Sequence, residues 1–204
     1  MEAGQTRSSL LRRLHDPDDV ESWGEFYEVY HPLLLRYVRC HDVGSHDAED
    51  LVQDIFLNKL RPAMVNFEFD DRRGRFRTWL FHVTINAIRD WARRRQNQPQ
   101  AIGQSGEFAG PSVPSVTEEL SRQWAHFHRE QILQFAMKKS RECFEPKTWE
   151  CFEQRTIRGR PGQEVARELG LSVNAVYTNA HRVLEKIREL CDRHDEDVAS
   201  PDAT

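Results

Sequence analysis

Paired sulfurs are the first thing this chain lacks. Its four cysteines, Cys40, Cys143, Cys151 and Cys191, are scattered with no CxxC pair. A disulfide framework or a zinc knuckle needs tighter, paired spacing, so these are read as free, partly buried thiols. Nine histidines form no HExxH or other ligand-spaced set, and no metal ligand and no cofactor is assigned. No run approaches the roughly 18 apolar residues of a membrane span. The N-terminal MEAGQTRSSLLRRL carries arginines but no continuous apolar stretch or small-residue cleavage site. The expectation is a cytoplasmic protein with no membrane insertion. Strand signals are weak and no repeat is visible. What remains, 38% hydrophobic and 30% charged, suits compact helical cores.

A net charge of −4 argues against an indiscriminate nucleic-acid binder, but its distribution is uneven. From His15 to Asp54 there are eleven Asp or Glu against Arg36 and Arg39, a net of −9. From Arg72 to Arg95 there are eight arginines against Asp90, a net of +7. Such asymmetry points to two partners, one basic and one a polyanion.

Helical periodicity is strong. Trp23, Phe26, Tyr27 and Tyr30 form one apolar stripe ending near Pro32, and Leu33, Leu34, Tyr37 and Val38 continue it. Gly44-Ser45 breaks the chain, with Ser45 or Asp47 available as a cap. The next helix, about Asp47 to Leu60, buries Ala48, Leu51, Val52 and Ile55. A longer one, about Phe76 to Arg95, places Phe76, Trp79, Leu80, Val83, Ala87 and Trp91 on its inner face. Gln96 to Thr117 is rich in proline, glycine, serine and glutamine and reads as a linker. Leu120, Trp124, Phe127 and Gln131 to Met137 then suggest one long helix, and another begins near Pro146. The fold class is all-α: two small helical domains joined by a flexible tether.

Gly162 to Leu184, GQEVARELGLSVNAVYTNAHRVL, carries a helix-turn-helix. A small residue, Ala166, lets the second helix cross closely. Gly170 suits the positive φ of the turn, and Ser172 and Val176 supply cap and anchor. Val165, Leu169, Val173, Val176, Ala180, Val183 and Ile187 would share the core. Asn174, Thr178, His181 and Arg182 then face outward, with Tyr177 alongside, able to reach base edges or phosphates. An ordinary helical hairpin with a solvated polar face is the bland alternative.

In DAEDLVQDIFLNKL, Asp50, Gln53 and Asp54 lie at i, i+3 and i+4, with Asp47 one turn earlier. This acidic face suits a divalent metal, plain solvation or a basic protein surface, and residue types alone leave the choice open. On the long helix His82, Asn86, Arg89 and Arg93 make one exposed stripe, continued by Arg94 and Arg95. Arginine pairs with phosphate and asparagine reads base edges. Arg72, Arg73, Arg75 and Arg77 alternate with Phe67, Phe69, Phe76 and Trp79, a pattern suited to a single strand. Phe76 and Trp79 also fit a plain core.

Taken in order, DAEDLVQDIFL, FDDRRGRFRTWLFHVTINAIRDWARRR, a linker and VARELGLSVNAVYTNAHRVLEKIREL resemble the extracytoplasmic-function (ECF) branch of the sigma-70 family, over about Leu10 to Leu190. The resemblance implies sigma region 2 over 10–95, a linker over 96–117 and sigma region 4 over 118–191, while the tail over 192–204, acidic by composition, departs from the family and is expected to be disordered. It implies a non-enzymatic subunit that directs promoter-specific transcription initiation. Asp47, Asp50, Gln53 and Asp54 would dock on the β′ clamp helices of core RNA polymerase, with the β flap as a second contact. Arg75, Arg77, His82, Asn86, Arg89, Arg93 and Arg94 would read and melt the −10 element, capturing flipped bases. Ser172, Asn174, Tyr177, Thr178, His181 and Arg182 would read the −35 duplex. Many relatives are held by an anti-sigma factor, which the resemblance adds as a partner class. Two rivals differ in prediction. A self-sufficient helix-turn-helix regulator binds duplex without polymerase, and a nuclease using Asp47, Asp50 and Asp54 cleaves with Mg²⁺.

Overall fold

In the computed structural model, residues 9–65, 76–97 and 117–194 are described, and every element among them is helical. The division into compact units falls between Gln131 and Ile132. The first unit holds α1 (Ser9–Arg13), α2 (Val20–Arg39), α3 (Ser45–Asp54), a π-helical turn (Ile55–Leu60), α4 (Arg61–Val65) and α5 (Phe76–Asn97). The division falls inside α6 (Glu118–Cys143).

A carboxylate starts α2. Asp19 accepts from the backbone N–H of Ser22 at 3.0 Å and from its hydroxyl at 2.9 Å, satisfying an otherwise orphaned helix donor. The Arg13 guanidinium closes on the same carboxylate at 2.8 and 3.1 Å. The backbone bond from Ser22, then Arg13, holds the Asp19 carboxyl below its ordinary range. Contrary to the sequence expectation, α2 does not end near Pro32 but runs through it. An interior proline costs about 3 kcal/mol. Phe26, Val29 and Tyr30 before it and Leu33, Leu34, Tyr37 and Val38 after it are all buried, and burying such side chains contributes about 1.5–3 kcal/mol each. Packing wins. Tyr27, expected in the stripe, is 49% exposed instead.

The cap of α3 is Gly44, with no side-chain hydrogen bond, so neither Ser45 nor Asp47 serves there. Its inner face is as expected: Ala48, Leu51, Val52 and Ile55 are buried. Beyond Ile55 a strict 3.6-residue step would bring Lys59 inward. The π-helical turn, in which the Arg61 N–H donates to the Phe56 carbonyl, spends one extra residue. Leu60 and Met64 therefore reach the core and Lys59 stays exposed.

On α5 the inner face is Phe76, Leu80, Phe81, Thr84, Ile85, Ala87, Ile88 and Ala92. Trp79, Val83 and Trp91, expected inside, are only partly buried. Smaller Ile and Ala residues, Ile85, Ala87, Ile88 and Ala92, occupy the buried seam instead. Thr84 is tolerated there because its hydroxyl donates to the Leu80 carbonyl at 2.8 Å.

Residues 118–131, at the start of α6, pack with the first unit. Trp124 is 2% exposed and lies edge-on to Tyr37 at 5.0 Å and beside Phe81 at 5.8 Å. Its indole N–H donates to the Arg77 carbonyl at 3.2 Å. Arg36 lies over Phe127 at 3.8 Å and pairs with Glu130 at 2.7 Å. The 96–117 linker lies outside the described residues apart from Gln96 and Asn97 in α5 and Thr117. Of the 192–204 tail, only residues 192–194 are described, within the last helix.

The second unit contains the end of α6, then α7 (Pro146–Phe152), a π-helical turn (Glu153–Ile157), α8 (Gly162–Leu169) and α9 (Val173–His194). Pro146 opens α7 at its first turn, where a missing N–H is harmless. One cluster joins Ala136, Trp149, Phe152, Ala180, Val183, Ile187 and Leu190. A second joins Cys151, Val165, Ala166 and Val176 at the α8–α9 crossing. Gly170 ends α8 in the left-handed region at φ 63°, as the turn requires. Val173 is 40% exposed rather than part of the core, because the first turn of α9 points out past the Ser172 cap.

Candidate functional site

Three surfaces bear the sequence-predicted residues. On α3, Asp50 and Gln53 are exposed, and His46 stands 3.8 Å from Asp50. Asp54, partly buried, accepts from the Asn58 amide at 2.7 Å. Asp47 does not share this solvent-facing situation. Its carboxylate takes the Arg95 guanidinium at 2.7 Å, tying α3 to the far end of α5. The carboxylates thus turn to different partners, and among the described residues no group of three or more His, Cys, Asp or Glu is placed to hold a metal ion. Sequence reasoning missed an apolar component here. Leu57 is 54% exposed, and Tyr27 stacks on His31 at 4.5 Å and packs on Phe56 at 4.9 Å. The signal was present: Leu57 falls four residues after Gln53 and three after Asp54, in phase with the polar face.

On α5, His82, Asn86, Arg93 and Arg94 are exposed and Arg89 is partly so. Arg89 donates to the Asn86 side-chain oxygen at 3.3 Å, which fixes that amide's orientation. Arg93 pairs with Asp90 one turn back. His82 lies against Phe81 at 5.3 Å. Arg77 sits at the seam with α6, under the Trp124 indole, and is less accessible than the sequence suggested. Arg75, with Arg72, Arg73, Phe67 and Phe69, lies outside the described residues.

On α9, the Ser172 hydroxyl accepts from the Ala175 N–H at 3.1 Å, so its oxygen serves as the helix cap. Asn174, Thr178, His181 and Arg182 are exposed on successive turns. His181 stands 3.6 Å from Glu185. Arg182 lines an open hollow of about 490 Å³ with Phe144, Glu185, Lys186 and Glu189. Tyr177 is 47% exposed yet anchored: a Cβ on Gly162 would meet its ring at 2.8 Å, and the Arg155 guanidinium lies over the ring at 5.1 Å. Gly162 and Arg155 were not singled out by sequence. Gly162 is legible in hindsight as a buried glycine opening α8, where the next helix approaches closely.

Two exposed faces in one unit, one acidic and one basic, and a helix-turn-helix in the other are therefore on the molecule. Residues 26–98 match the family Sigma-70 region 2. Over 195 residues the chain is 22% identical to the ECF RNA polymerase sigma factor SigE of Mycolicibacterium smegmatis, covering 95% of this chain and 71% of that one. It is 23% identical to the ECF RNA polymerase sigma factor BldN of Streptomyces coelicolor, covering 84% of this chain and 61% of the relative. It is 27% identical to the RNA polymerase sigma factor NccH of Alcaligenes xylosoxydans xylosoxydans, covering 89% and 92%. No helix among the described residues is long and apolar enough to cross a membrane. Residues 26–98 thus carry a Sigma-70 region 2, and along most of its length the chain is distantly similar to proteins named ECF RNA polymerase sigma factors, a non-enzymatic family that directs transcription initiation.

Proposed function

We propose that the three surfaces divide the work of initiation. The acidic face of α3, Asp50, Gln53 and Asp54, docks on the β′ clamp helices of core polymerase, with Tyr27 and Leu57 adding apolar contact beside it. The exposed stripe of α5, His82, Asn86, Arg89, Arg93 and Arg94, captures the non-template strand of the −10 element, and Arg75 and Arg77 take part in the same task. The outward face of α9, Asn174, Thr178, His181 and Arg182, enters the −35 major groove, capped by Ser172 and braced by Tyr177. The β flap is the second polymerase contact, the cytoplasm is the working compartment, and an anti-sigma factor is the class of protein that would occlude these faces. Regions 10–95 and 118–191 carry the −10 and −35 tasks.

One observation carries the reading: Asn86 is held by Arg89 on a solvent-facing stripe whose other members are basic. A side-chain amide aimed outward beside arginines offers base-edge bonding with phosphate neutralisation next to it. The carboxylates of α3 pair with Arg95 and Asn58, which leaves the nuclease reading without a convergent centre. The test is transcription by purified core polymerase on a pooled library of genomic fragments, with and without the protein. Discrete new start sites sharing two spaced elements are expected. Tight duplex binding by the protein alone, without initiation, would return it to the self-sufficient regulators.

A further inference from the structure

The Asp47–Arg95 pair is the feature that division of labour does not use. It joins residues 48 positions apart, one on the helix that bears the acidic face and one on the basic end of the DNA-facing helix. The bond is short, 2.7 Å, and asymmetric in exposure, with Asp47 33% and Arg95 57% exposed. In the same conformation the Arg95 guanidinium lies 5.7 Å from the Trp91 ring centre. Asp47 is one turn from Asp50 and keeps 33% of its side chain exposed, within reach of cations on a basic partner seated beside it.

We propose that Asp47 is a positioning residue that couples the two faces: in the free protein it holds Arg95 away from DNA, and a basic surface docked on α3 takes over the carboxylate and releases Arg95 to phosphate. This rests on the assignment of the acidic face to polymerase and of the basic stripe to DNA. The physical basis is competition for one carboxylate. While Arg95 is paired, its charge is neutralised locally, and each phosphate contact it would make must first break the pair. Once a docked cation occupies Asp47, Arg95 binds phosphate without that loss. Linkage makes the effect reciprocal, so DNA held by Arg95 frees Asp47 and strengthens docking by the same factor. The Arg93–Asp90 pair has no such reach, since both residues lie on α5.

Exposed ion pairs set the scale, and the expected gain on release is about two- to fivefold in affinity. The experiment uses the full-length protein and a short fluorescent single strand, read by anisotropy at low salt, with and without core polymerase. The variants are Asp47→Asn, Arg95→Gln, their double and Asp50→Asn as a control for loss of one negative charge. Asp47→Asn should tighten binding by the free protein about two- to fivefold more than Asp50→Asn does. That excess should vanish in the Arg95→Gln background, and core polymerase should add correspondingly less for Asp47→Asn than for the native chain. Equal gains from Asp47→Asn and Asp50→Asn, a gain that persists without Arg95, or no binding by any variant would each overturn the proposal. Failure of the assignment beneath it is seen separately, as absence of start sites in the transcription assay.

Discussion

Gly170→Ala isolates what the left-handed turn of the helix-turn-helix requires. At φ 63° an L residue crowds its own carbonyl, which costs roughly 1–2 kcal/mol. Nothing lies within 4 Å of the Cβ that alanine would add, so no packing clash contributes. Against the strain, alanine restricts the unfolded chain and returns about 0.4–1 kcal/mol. The net loss is about 1 kcal/mol, or about a fivefold rise in the open population. Gly170→Asn should lose less than alanine, because asparagine tolerates this conformation through local hydrogen bonding. Hydrogen exchange of peptides from α8 and α9 in the full-length protein measures the change, with peptides from α2 as the unaffected reference. Gly170→Ala exchanging like the native chain, or alanine and asparagine losing equally, would refute the assignment of the loss to backbone strain.

Other perturbations test other joints. Trp124→Phe keeps a ring against Tyr37 but removes the bond to the Arg77 carbonyl, a loss of about 1 kcal/mol, whereas Trp124→Ala should lose about 3–5 kcal/mol. Urea unfolding of both variants checks the ranking, and equal losses would mean the ring does not pack as described. Burial pushes the pKa of His41 down, with Asp42 opposing it. Its neutral form is therefore favoured in the fold, so its stabilising contribution is complete above the ordinary value of 6.5 and is lost as pH falls through 6.5 toward the lower folded value. His41→Asn should flatten that slope in thermal melts between pH 7 and 5. Asp54→Arg should abolish co-purification with core polymerase while leaving helicity intact. Arg182→Ala should reduce dependence of start-site strength on −35 sequence, and an unchanged promoter profile would count against α9 as the reader.

The two surfaces that depend on one helix alone were legible in the sequence. Asp50, Gln53 and Asp54 share a face because α-helical spacing is fixed, and Asn174, Thr178 and Arg182 follow once Gly170, Ser172 and Val176 set the register. Apolar periodicity likewise located α2, α5 and α6. What escaped was decided between helices. The inner face of α5 is rotated from the expected one, because tryptophans dominate a pattern by size but close seams select Leu80, Ile85 and Ala92. Pro32 looked like a stop because its local cost is visible in sequence and the packing that offsets it is not. Trp124 could be assigned to the first unit only once Tyr37 and Phe81 were seen around it. Tyr177 read as an outward side chain, and only the approach of Gly162 shows it as a brace.

The π-helical turn at Ile55–Leu60 also governs how knowledge passes between this chain and others. It behaves as one residue inserted into an otherwise continuous rod, absorbed without a loop. Positions up to Asp54 keep the angular register of a helix that is regular throughout. From Leu60 onward the same count is displaced by one position, about 100° around the axis. A one-residue gap therefore belongs within 55–60 when a relative with such a regular helix is aligned. Roles measured there for residues past this point transfer to Leu60, Arg61 and Met64 only after that shift.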